Sequence, residues 1–131
     1  MHPNPYATAQ RETLSGRALE RAVLSRVTAR LVGVDPEAPG GPAALASALE
    51  ENRRLWCALA SDLADPANRC GDQLKAGLLS LAAFVETHTA QVLAGRATQQ
   101  ILITINRDII DGLSAAATAT ADAGGKSAEA A

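Results

Sequence analysis

The chain has 131 residues, of which 47% are hydrophobic, with a formal net charge of -2 and a pI near 5.6. That length suits one domain with a modest core, and the near-neutral balance excludes a general pull toward nucleic acid or anionic lipid. Aromatic residues are confined to Tyr6, Trp56 and Phe84. The interior must therefore be built from Leu, Ile, Val and Ala, and the predicted fold class is all-α, a small four-helix bundle-like domain.

In chain order, residues 1–14 read as an N-terminal arm, and a first helix begins after Ser15, a favourable N-cap. It carries Leu19, Val23, Val27 and Leu31 at four-residue spacing and runs to Gly33. The stretch from Asp35 holds Pro36, Pro39, Gly40, Gly41 and Pro42, too many breakers for a regular element, so it is a connecting loop. Helix two follows from about Pro42 to Ala64, and Asp65-Pro66-Ala67-Asn68 makes a turn. Helix three carries an apolar stripe of Leu74, Leu78, Leu81, Val85 and Val92 and stops at Gly95.

The segment Ile101-Leu102-Ile103-Thr104-Ile105 is β-branched enough to pass for a strand. Its continuation through Ile109, Ile110 and Leu113 keeps the helical spacing, Thr98 is placed to cap it, and no second strand exists to pair with it. It is helix four, closing a helical domain over residues 15–113. From Ser114 the chain is Ala, Thr and Gly with a few charges, and residues 114–131 are predicted to be a disordered Ala-rich tail.

The sharpest feature is polar. At about 100° per residue, Asn52 falls among Leu45, Leu49, Trp56, Leu59 and Leu63 on helix two, and Asn106 among Leu102, Ile105, Ile109 and Leu113 on helix four. His88 falls within the stripe of helix three. An unpaired buried amide costs roughly 1 to 3 kcal/mol, so these groups should bond one another, the backbone or a partner protein. The simplest arrangement has a buried His88 bonding Asn52 or Asn106, and a partner-facing contact is the alternative. Trp56 reads as a core anchor, with an interface hot spot as its alternative. Phe84, at the edge of its stripe, suits either a docking groove or packing on helix one.

Catalytic signatures are missing: there is no phosphate loop, nucleophile elbow or HExxH pattern, so no enzyme activity and no cofactor are expected. Cys57 and Cys70 lack the paired spacing of a zinc site, no metal is expected, and the two read as small apolar fillers in a reducing cytoplasm. The opening Met1-His2-Pro3-Asn4-Pro5 lacks the basic start and apolar run of a secretory signal, so the protein is expected to stay inside the cell. Direct nucleic-acid binding is disfavoured. Arg17 and Arg21 lie about 180° around helix one from Arg26 and Arg30, and Arg53 and Arg54 follow Glu50 and Glu51 at ion-pair spacing.

The string Asn52-Arg53-Arg54-Leu55-Trp56, followed by Leu59, Asp62, Asn68, Ser80-Leu81-Ala82-Ala83-Phe84-Val85, His88-Thr89 and Ile105-Asn106-Arg107 with Ile110, Gly112 and Leu113, resembles the flagellar biosynthesis regulator FlaF family of α-proteobacteria. The likeness spans about Tyr6 to Leu113. It departs at Gly16, at Cys70-Gly71 and in the tail. The resemblance implies a small cytoplasmic, non-enzymatic protein needed for flagellin production and export, with flagellin as its partner, working alongside the translational regulator FlbT. By that likeness Asn52, Arg53, Trp56, His88, Asn106 and Arg107 are the site positions, acting as partner contacts or as the polar lock of the bundle. Two roles follow: a flagellin-binding chaperone and adaptor, or a post-transcriptional regulator of flagellin mRNA acting with FlbT or on RNA directly.

Overall fold

A computed structural model describes residues 21–113, which form four helices and no strand among the described residues. The arm and the tail predicted for residues 1–14 and 114–131, the capping role of Ser15 and the place of Leu19 lie outside the described residues. Helix α1 is described from residue 21 and ends at 33, α2 is Gly41–Ala64, α3 is Asp72–Leu93 and α4 covers residues 100–113.

The helix ends follow from local chemistry. Gly40, at φ 75°, takes the left-handed conformation that opens α2, and a proline sits in its first turn where no N–H is needed. Asp65 precedes Pro66 and is extended, which stops α2 at Ala64. The Asp65 carboxylate then accepts the Ala67 N–H at 2.9 Å, fixing the turn. At the end of α3, Gly95 has φ 76° and the Arg96 N–H reaches back to the Gln91 carbonyl at 2.9 Å, the closure of a Schellman motif. Helix α4 begins at residue 100, so its cap position falls on Gln99 and not on Thr98.

Cross-helix pairs tie consecutive helices together. Arg30 of α1 meets Glu51 of α2, Arg53 of α2 meets Glu86 of α3, and His88 of α3 meets Thr98 just before α4. Gln99 closes the circuit by donating to the Leu31 and Val34 carbonyls at the end of α1. The core draws on all four helices through Leu31, Leu49, Trp56, Val85, Val92 and Leu102.

Two details differ from the apolar periodicity. On α1 the buried side chains are Leu24, Val27, Thr28 and Leu31, while Val23 is only half-buried. The inward face is thus rotated from the Leu19–Leu31 row. Thr28 tolerates burial because its hydroxyl donates to the Leu24 carbonyl at 2.6 Å, as Thr89 does to Val85 on α3. On α3, Leu74 lies on the same face as Val85 and Val92 yet is 61% exposed. Neighbouring elements cover Val85, Thr89 and Val92 and leave Leu74, near the start of α3, open.

Candidate functional site

The six positions singled out in the sequence divide into a buried group and a surface group. Asn52 and Asn106, both fully buried, meet across the α2–α4 contact, with Asn106 Nδ2 donating to Asn52 Oδ1 at 2.8 Å. Trp56, one turn along α2, donates its indole N–H to Asn106 Oδ1 at 2.9 Å. An indole can only donate, so it fixes the carbonyl end of Asn106 toward itself and the amino end toward Asn52. Asn52 must then offer its oxygen, and its Nδ2 is left buried without a partner among the described residues. Trp56 is accordingly a core anchor.

His88 does not belong to this network. It is half-buried, its Nε2 lies 3.1 Å from the Thr98 carbonyl, and its ring stacks on Phe84 at a centroid separation of 5.3 Å. The imidazole sits at the margin of its stripe that faces the α3–α4 connection, so a loop carbonyl reaches it before either asparagine does.

Arg53 lies on the α2–α3 seam. Its guanidinium forks onto Glu50 at 2.9 and 3.0 Å and also reaches Glu86 of α3 at 3.6 Å. Arg54 adds a second bond to Glu50 at 3.1 Å. Hydrogen bonds from Arg53 and Arg54 hold the Glu50 carboxyl down at about 2, and Glu50 in turn raises the Arg53 guanidinium. Cys57 adjoins this cluster, with its thiol 3.9 Å from Glu86. Cys57 is exposed and Cys70 half-buried, so Cys57 is not the apolar filler that its sequence context implied. No group of three or more His, Cys, Asp or Glu side chains suited to a metal ion occurs among the described residues.

Arg107 is exposed and lines a cleft on the α1–α4 seam with Val32, Thr98, Gln100 and Ile103.

A further surface was not legible as such in the sequence. Along α3, exposed Leu74 and Phe84 accompany half-buried Leu78 and Leu81. On α4, joined to α3 through the His88–Thr98 contact, Ile101 is 38% exposed and Ile109 half-buried. Added Cβ atoms at Gly77 and Gly112 would meet nothing within 4 Å. The α3–α4 flank is thus an open apolar strip. The signal for it was the length of the stripe on α3, which outruns the cover available.

A small all-α bundle pinned by an internal asparagine pair, with one apolar flank uncovered, is the class these features define. The chain belongs to the family described as flagellar protein FlaF, whose sequence pattern matches residues 2–113. No curated protein and no solved structure matches the chain. No helix among the described residues is long and apolar enough to cross a membrane.

Proposed function

We propose that this FlaF-family protein is a non-enzymatic, cytoplasmic flagellin-binding chaperone and adaptor that supports flagellin production and export, with FlbT as a second partner. The observation that carries this reading is the open α3–α4 flank, where Leu74, Phe84 and Ile101 stand exposed. Amphipathic helices dock on such strips through apolar residues at helical spacing. Unassembled flagellin has long amphipathic terminal segments, and covering them before export would prevent premature polymerisation.

The alternative, regulation of flagellin mRNA with FlbT or by direct RNA contact, draws on the gathering of Arg26, Arg30 and Arg54 at the α1–α2 seam. Pairing of Arg30 with Glu51 and of Arg54 with Glu50 neutralises two of these three cations, which disfavours phosphate binding.

Calorimetric titration with monomeric flagellin at low and high salt separates the readings. Saturable binding that persists in high salt and is lost in Leu74→Ser supports the chaperone. Absence of flagellin binding, with salt-sensitive binding of flagellin mRNA instead, overturns it.

A further inference from the structure

The first turns of α3 are held differently from the rest of that helix. From Asp72 to Ser80 no residue is buried, and the first α3 side chains to pack on the core are Leu81 and Ala82, ahead of buried Val85, Thr89 and Val92. Polar ties follow the same division. Glu86 meets Arg53 and Cys57 of α2, and His88 bonds the Thr98 carbonyl, whereas among the described residues no side chain from Asp72 to Phe84 bonds another helix. The one side-chain bond that leaves these turns runs from Lys75 to the Asn68 carbonyl of the preceding turn, at 3.5 Å.

Local propensity does little to compensate. Gly71 occupies the N-cap and has no side chain to offer the first N–H groups of the helix. Gly77 lies inside the helix, where glycine is a poorer helix former than alanine, and an added Cβ there would meet nothing within 4 Å. Packing therefore does not account for this glycine. Leu74 is exposed and Leu78 and Leu79 only half-buried, so unravelling these turns surrenders little buried surface. A short helical stretch with neither tertiary cover nor strong propensity is marginal in water.

We propose that Asp72–Ser80 opens as a separate unit, its turns unravelling and re-forming while the core, with the Trp56–Asn106–Asn52 network, stays folded. Leu74 and Leu78 belong to the α3–α4 strip, so opening dismantles that end of the strip and re-forming restores it. The strip is thus a surface that the folded protein can switch off, and Gly77 is the residue that sets how readily it does so. On the flagellin-binding reading, on which this consequence alone rests, opening is a route for releasing the cargo without unfolding its carrier.

Native-state hydrogen exchange of the full chain across a series of sub-denaturing urea concentrations tests the proposal. It needs no partner, so its failure is distinct from a failure to bind flagellin. The Lys75–Ser80 amides should exchange about a hundredfold or more faster than those of Thr89–Val92, at rates almost insensitive to urea, because opening so short a stretch exposes little surface. The Thr89–Val92 rates should climb steeply with urea. Gly77→Ala should slow exchange across Lys75–Ser80 about fivefold. One shared rate and urea dependence for the two stretches, or no slowing in Gly77→Ala, would overturn the proposal.

Discussion

The indole N–H of Trp56 and the side-chain oxygen of Asn106, 2.9 Å apart, set the polarity of the whole buried network. Everything beyond that bond follows in order: which end of Asn106 meets Asn52, and which end of Asn52 is left over.

The two asparagines should consequently differ in what they tolerate. Asn106→Leu strands the Trp56 N–H and the Asn52 carbonyl together, a loss of about 2 to 6 kcal/mol at roughly 1 to 3 per buried group. Asn52→Leu strands the Asn106 amino group but removes the unpartnered one of Asn52, so its effect should stay within about 1 kcal/mol. Urea unfolding of both variants checks the order. Equal losses would mean that the bonding polarity is not the one described.

His88→Ala removes a bond to one loop carbonyl and a stack on an exposed ring, both outside the core network. The expected cost is about 1 kcal/mol or less. Thermal unfolding that fell as far as for Asn106→Leu would place the imidazole back within the network.

Gly41 is buried at the start of α2, and a Cβ there would fall on the Asp35 and Pro36 carbonyls. Those are backbone atoms that cannot swing aside. Gly41→Ala should therefore destabilise by about 1 to 3 kcal/mol even though alanine is the better helix former. An unchanged or raised midpoint in thermal unfolding would show that the loop can shift at little cost.

Acid should weaken the Glu50 cluster in a defined window. The folded-state carboxyl is depressed to about 2 from the usual 4.5 by hydrogen bonds from Arg53 and Arg54. A depressed carboxyl adds stability above its unfolded value and loses it as pH falls through the folded one. The advantage of the native chain over Glu50→Gln in urea midpoint should be full above pH 4.5 and gone near pH 2. Solvent exposure keeps the effect small, and high salt should shrink it further. An advantage that grew on acidification would contradict the assignment.

Periodicity carried the helices and the asparagine pair well, because both depend on which residues share a face. Asn52 and Asn106 each sit in an apolar row, and two buried amides with no other outlet find one another. Even the β-branched run Ile101–Ile105 reads correctly once Ile109 and Leu113 are counted with it. Periodicity says less about how far along a face its cover extends. Leu74 and Val85 share a face on α3 but not a neighbour, and only tertiary packing distinguishes them. The same limit applies to α1, where Thr28 joins the inward face because its hydroxyl is satisfied within its own helix. His88 belongs to this class too, since a loop carbonyl intercepts it.

Gln99 bonds carbonyls 65 and 68 residues earlier in the chain, joining the end of α1 to the entrance of α4. Neither carbonyl can be served in this way until the intervening α2–α3 hairpin has brought the two together. Closing so long a loop costs entropy before any contact offsets it. Fragments ending before Gln99 should therefore lack the latch that ties α1 to α4.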